Sequence, residues 1–377
     1  MQALIKPLQE LAEFEEIQKE KQKETGVLQI SGCVNSQKTH MMYALGDGCK
    51  YRVIACSGES KARQVYEEYH MLDPETYFYP AKDFLFYQAD IRSKELQESR
   101  MTVVQAILEE KPLTVVVSFD AFMDALPVKG AMKDRVIRIE NGQTLDFDEI
   151  RKALTENGYD REEQVGGPGQ FAIRGGILDI YPLTGELPVR IELWGDEVDS
   201  IRSFDTDSQR SVQNLDEAVI YPADELPGRP VKRVSFLEYF PPEDTLVFLD
   251  EPARLVEKGE AVEQEFVEAQ AKRVESGYEV SDDEMELYET AEIVKQMNTY
   301  YCIGLSALDT HGNGFKFRNK FSINTKSVNP YNNSFEMLTR DLKRLKRNDY
   351  RVILLSGSRT RAKRLAEDLR DYNLSSY

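Results

Sequence analysis

The chain has 377 residues, 41% of them hydrophobic and 30% charged, a length for about two to four domains and a mixture that excludes a disordered polymer. No apolar run reaches the roughly 20 residues that span a bilayer, and a formal charge of −18, from 66 acidic against 48 basic residues, opposes non-specific duplex binding, which depends on phosphate neutralisation. Four cysteines without a C-x-x-C pair, and three histidines, argue against a zinc site or disulfide framework and fit a reducing cytoplasm.

The N-terminal stretch is too acidic for a signal peptide, and Leu4, Leu8, Leu11 and Phe14 recur at helical spacing. Over residues 1–126 the runs "GVLQIS", "YRVIACS" and "LTVVVSF" alternate with helical patterns, "SKARQVYEEYHML" and "KELQESRMTVVQAILEE". That alternation specifies an α/β domain with a parallel sheet covered on both faces.

Residues 127–225 change character. "DRVIRIENG" reads as a strand and "DFDEIRKALTENGY" as a helix ending near Asn157-Gly158. "GQFAIRGGILDIYP" and "LPVRIELWGDEVDSIRSFD" then follow as successive strands, the mark of an inserted antiparallel α+β module. Residues 226–330 hold the strand "TLVFLDE", two long acidic helical stretches between Ala253 and Tyr300 (the second started by Ser281), and strands around "YCIGLSAL" and "KFSINTKSV". They complete the first α/β domain. Residues 331–377 read helix, strand ("YRVILLSG"), helix. One βα unit is too little for a stable sheet domain, so this is read as the start of a further α/β domain in a longer protein. The Lys/Arg-rich run from Arg340 to Arg370 reads as a solvated amphipathic face rather than a nucleic-acid site.

Two sites stand out. After the first strand, Gly32 is followed at phosphate-loop spacing by Gln37, Lys38 and Thr39, a G-x-x-x-x-G-K-[ST] pattern with glutamine in place of its second glycine. A side chain at Gln37 fills the space through which backbone approaches phosphates. Asp250 and Glu251 end a later apolar strand, where ATPases hold Mg²⁺ and water. The expectation is a degenerate nucleotide site, a relic without catalytic residues or cofactor. The second site is "VRIELWGDE". Strand alternation puts Val189, Ile191 and Leu193 on one face and Arg190, Glu192 and Trp194, the only tryptophan, on the other. Arg174 alternates with Phe171 and Ile173 in the same manner, before Gly175-Gly176. Arginine and tryptophan dominate interface hot spots, so Arg174, Arg190 and Trp194, with Glu192 and Phe171, are the expected partner-binding set.

The stretch from Tyr159 to Val212 ("YDREEQVGGPGQFAIRGGILDIYPLTGELPVRIELWGDEVDSIRSFDTDSQRSV"), followed by "AVIYPADEL", closely resembles the bacterial transcription-repair coupling factor family and, less closely, the excision-repair subunit UvrB. Weaker similarity runs through "PAKDFLFYQADIRSKELQESR" and "TVVVSFDAFMDALP", and onward from "VFLDE". The resemblance implies a UvrB-like N-terminal module with an inactive motor, whose inserted domain binds the damage-sensing ATPase UvrA. The family's partner-binding arginines and aromatic fall on Arg174, Arg190 and Trp194; the aromatic is commonly phenylalanine. It further implies that RNA polymerase, DNA, ATP and Mg²⁺ belong to regions beyond this chain, within an intact ATP-dependent DNA translocase. Two departures are visible: no room for a damage-probing hairpin between Tyr87 and Arg100, and no helical insertion between Leu226 and Val234.

The sequence therefore reads as a cytoplasmic, non-hydrolysing and monomeric UvrA-recruiting module. Two alternatives stay open: a UvrB-type ATPase or helicase fragment using Lys38, Thr39 and Asp250, and a structural restraint on a downstream motor.

Overall fold

A computed structural model describes residues 5–34, 36–82, 94–225, 232–276, 287–326, 328 and 330–375, in two compact units, Met1–Thr325 and Lys326–Tyr377. The first unit opens with a 3-10 turn, Leu8–Glu10, and helix α1, Ala12–Glu20. The anticipated N-terminal helix is thus broken: Leu11 is extended, while Leu8, Phe14 and Ile17 are buried. Leu4 lies outside the described residues.

Strands β1 (Gly26–Ser31), β2 (Tyr51–Cys56), β3 (Thr76–Tyr79) and β4 (Leu113–Ser118) alternate with helices α2 (Ser36–Leu45), α3 (Glu59–His70) and α4 (Lys94–Leu108). Short α5 (Phe119–Phe122), β5 (Ala125–Pro127) and α6 (Lys129–Lys133) lead into the inserted module. That module comprises β6 (Ile137–Glu140), α7 (Phe147–Glu156), β7 (Asp160–Arg161), β8 (Gln170–Arg174), β9 (Ile177–Tyr181), β10 (Val189–Trp194), β11 (Glu197–Phe204), β12 (Ser211–Leu215) and β13 (Glu217–Ile220). The chain returns through β14 (Arg233–Ser235), β15 (Thr245–Asp250), α8 (Pro252–Glu275), α9 (Thr290–Met297), β16 (Tyr301–Ser306) and β17 (Phe317–Ser322).

The result is mixed α/β. A seven-stranded sheet runs β17-β1-β16-β15-β2-β4-β3, every pairing in it parallel. Its strands β1, β2, β4 and β15 are apolar on both sides because both faces are covered there, whereas the edge strand β17, FRNKFS, is polar and partly exposed. Val27, Val53, Val115 and Val247 enter one core cluster, and Leu28, Ile54, Val116 and Leu246 enter the other. The module's own sheet runs β12-β11-β10-β9-β8-β7. Its pairings are antiparallel except β7 with β8.

Helix α7 shows how local sequence sets a boundary. The Asp146 carboxylate accepts from the Asp148 and Glu149 amides at its start. At its end Gly158, with φ +84°, lets the amides of Gly158 and Tyr159 reach the carbonyls of Thr155 and Leu154. The Ala223 amide then donates to the Asn157 carbonyl at 2.8 Å, tying the module's exit to this cap.

The exit is also held by charge. Arg100, on α4, donates from Nε to Glu225 at 2.9 Å and places Nη1 at 2.7 Å from Asp124 and from the Pro80 carbonyl. Lys82 and the Tyr79 hydroxyl reach the same Glu225 carboxylate, at 2.7 and 2.9 Å. Burial alone would raise the Glu225 pKa, but the Arg100 and Lys82 charges outweigh it and hold the carboxyl down at about 2.

In the second unit, α10 (Phe335–Arg347) and α11 (Arg359–Arg370) are capped by Ser334 and Ser358 and share a small core of Leu342, Leu369 and Leu374. The strand expected at 350–357 does not form: the described residues of this unit offer it no ladder partner, and Leu355 is 78% exposed. Segments 83–93, 226–231 and 277–286 lie outside the described residues, and with them most of the hairpin region, the shortened segment after Leu226 and the Ser281 helix start.

Candidate functional site

Register decides which side chains meet on the module's sheet. Asp179, Arg190 and Arg202 stand opposite one another across β9, β10 and β11. The next row holds Ile177, Glu192 and Ser200, with Arg174 of β8 opposite Ile177. Both rows lie on one face, since positions two apart on a strand point the same way. Arg174 and Arg190 therefore share a side, and they share a partner. Arg174 Nη2 lies 2.7 Å from Asp179 Oδ2, while Arg190 donates from Nε to Oδ1 at 2.7 Å and from Nη2 to Oδ2 at 2.9 Å. Arg190 Nη2 also reaches Gln209 Oε1 at 2.8 Å, and its guanidinium lies 4.3 Å from the centre of the buried Phe204 ring. The hydrogen bond to Asp179 holds the Arg190 guanidinium protonated even more firmly than usual.

Trp194 ends β10 and is 85% exposed, whereas Leu193 packs against the core. The Leu193 amide donates to the Gly176 carbonyl at 2.8 Å. That bond brings the end of β10 against the Gly175-Gly176 turn, which directly follows Arg174. The indole and Arg174 thus lie at the same end of the sheet. Gly175 (φ +59°) and Gly195 (φ +66°) make the two tight reversals there, in backbone that favours glycine.

Two members of the expected set are placed differently. Phe171 is fully buried in the main core, on the opposite face from the arginines, so it offers no surface to a partner. Glu192 is half-buried and engaged within the sheet by Arg202 and by the Ser200 hydroxyl. Sequence reasoning missed Asp179, with a side chain 1% exposed. The signal was present: an aspartate inside the apolar strand "ILDIY" is buried only if paired.

In the degenerate phosphate loop, Lys38 and Thr39 are engaged by side chains of the same unit. Lys38 Nζ lies 2.7 Å from Asp250 and 2.5 Å from Glu251, whose carboxylate also accepts from the Ala307 amide at 2.9 Å. Burial opposes the charge on Lys38, but Asp250 and Glu251 together raise its pKa. Thr39 donates to Glu68 at 2.8 Å, and Gln37 accepts from the Val34 amide at 3.3 Å. Gly32, φ +83°, is pressed against the Ile323 carbonyl, which a Cβ would meet at 1.8 Å, and its own carbonyl accepts from Thr325. The predicted residues of the nucleotide site are thus brought together, with Lys38 and Thr39 already engaged by carboxylates. Among the described residues no group of His, Cys, Asp and Glu is arranged to hold a metal. No described helix is long and apolar enough to cross a membrane.

The module that carries this sheet matches a known family model. Residues 137–226 match the UvrB interaction domain. The chain is 27% identical over 361 residues to the transcription-repair-coupling factor of Bacillus subtilis, covering 80% of this chain and 30% of that protein. It is 39% identical over 146 residues to the one from Staphylococcus haemolyticus and 38% over 148 residues to one from Staphylococcus epidermidis, in each case over 39% of this chain. The chain therefore spans under a third of the length of these relatives. The chain is thus similar to transcription-repair-coupling factors over most of its length, and at residues 137–226 to the UvrB interaction domain.

Proposed function

We propose that this chain recruits UvrA to transcription-coupled repair through the outer face of its inserted module. The observation that carries the reading is the grouping of Arg174, Arg190 and the exposed Trp194 at one side of a single sheet. A solvent-facing indole at the end of a sheet face that carries two oriented cations suits a partner surface with an apolar recess bordered by carboxylates. The match to a UvrB interaction domain supports the same reading. UvrB and this module would then present equivalent surfaces to one ATPase.

In this reading the first α/β unit is a scaffold that hydrolyses no ATP. The engagement of Lys38 by Asp250 and Glu251, and the crowding of Gly32 by Ile323, support it. RNA polymerase, DNA and an ATP-driven motor would be the business of the remaining length of a protein like the relatives. The test is binding of purified UvrA to the 377-residue chain, with Arg174→Ala, Arg190→Ala and Trp194→Ala compared with wild type. Each truncation should weaken binding by ~2 kcal/mol, about 30-fold. ATP turnover that is abolished by Lys38→Ala would favour the ATPase alternative instead.

A further inference from the structure

The docking face contains a carboxylate that no partner can reach. Asp179 spends both oxygens on Arg174 and Arg190, with a side chain 1% exposed. Gln209 Oε1 accepts a further hydrogen bond from Arg190 Nη2, and the Gln209 Nε2 amide donates to the Thr206 carbonyl at 2.8 Å. Buried ion pairs are poor stabilisers on balance, because desolvation consumes most of the attraction. What they do supply is a fixed geometry.

We propose that Asp179 and Gln209 are positioning residues of the docking face, and that they hold the two guanidiniums side by side in the orientation a partner carboxylate requires. This rests on the docking reading above. Two like charges this close would repel and swing apart without the carboxylate between them. With it, Arg190 is locked at Nε and Nη2, and Arg174 is held by Nη2 alone. Among the described residues Nε and Nη1 of Arg174 make no hydrogen bond. Nη2 carries a second N–H, so one two-pronged edge of Arg174, Nη2 with either Nε or Nη1, stays free for bidentate recognition of an acidic side chain. The triad of Arg174, Asp179 and Arg190 carries one net positive charge, and that surplus selects an anionic partner group. Ordering the arginines before contact removes an entropic cost of association.

The experiment is a double-mutant cycle on the 377-residue chain, read as the dissociation constant for UvrA, with folding checked by circular dichroism. Asp179→Asn should weaken binding about 10-fold when both arginines are present, and less than about 2-fold in the Arg174→Ala/Arg190→Ala background. Gln209→Ala, a change at a half-buried position in the β11–β12 turn, should weaken binding about 2- to 3-fold only when Arg190 is present. It decides the matter should Asp179→Asn fail to fold. Equal losses in the two backgrounds would show a merely structural role and overturn the proposal. An effect of the arginine pair without any effect of Asp179→Asn or Gln209→Ala would overturn it alone. Unchanged affinity in the Arg174→Ala/Arg190→Ala chain would overturn it together with the docking reading.

Discussion

Trp194 is so exposed that the fold gains little from it, and this separates its two conceivable roles. Trp194→Ala should leave unfolding free energy within about ±0.5 kcal/mol, measured by urea titration, as for surface changes in general. Lys38 has the opposite profile. Lys38→Met would leave the buried Asp250 beside Glu251 without their cation, and breaking a buried pair in this way costs about 3–5 kcal/mol. The sign of its pH dependence follows from the raised pKa. The stabilisation is complete below the ordinary lysine value of 10.5 and is lost as pH climbs through the folded value. Wild type should therefore lose stability above pH 10.5 more steeply than Lys38→Met does, in urea titrations at successive pH values. At this scale the sequence was legible wherever one strand's alternation sufficed. Arg190 and Trp194 were placed outward and Ile191 inward from "VRIELWGDE" alone. Phe171 was misassigned although the same alternation sets it opposite Arg174, and Asp179 was missed because its role needs the register of three strands.

Between elements, the buried Arg100 cluster fastens the inserted module to the body where the chain leaves it. Arg100 comes from α4, Asp124 precedes β5, and Glu225 follows the module's last strand. Arg100→Met should cost about 3–5 kcal/mol, since it leaves the buried Asp124 without its cation and removes one of the two cations at Glu225. The acid limb carries a sign as well. Glu225, depressed to about 2, contributes stability that is present above its ordinary value of 4.5 and disappears as pH falls towards 2. Burial raises the Asp124 pKa despite Arg100, so Asp124 works in the contrary direction and blunts the effect. Stability should fall between pH 4.5 and pH 2 more steeply in wild type than in Glu225→Gln. Strands β1, β2, β4 and β15 were readable because buried parallel strands are continuous apolar runs. By contrast "TYFY" (β3) and "SVQNL" (β12), at sheet edges, lack that signature. The run "YRVILLSG" has it and still forms no strand, because a ladder needs a second chain segment. The Arg100 cluster was not visible from spacing, since it joins residues 100, 124 and 225. Asp179 lies only 5 and 11 residues from its arginines and meets them through strand register, whereas Lys38, Asp250 and Glu251 were grouped by the phosphate-loop pattern.

Within the first unit, a seven-stranded parallel sheet and the inserted module's six-stranded sheet are separate layers, and the module's sheet carries Arg174, Arg190 and Trp194 on one side. The net charge of −18 makes the cationic patch on that sheet a local exception, which favours a specific acidic partner over nucleic acid. The central claim is that this patch is where UvrA docks. Isothermal titration of UvrA into the 377-residue chain tests it most directly, comparing wild type with an Arg174→Ala/Arg190→Ala/Trp194→Ala variant of matching circular dichroism. Saturable binding by wild type and a loss of about 100-fold or more in the variant is the predicted result. Equal affinity of the two chains for UvrA, or no binding by the wild-type chain, would contradict it.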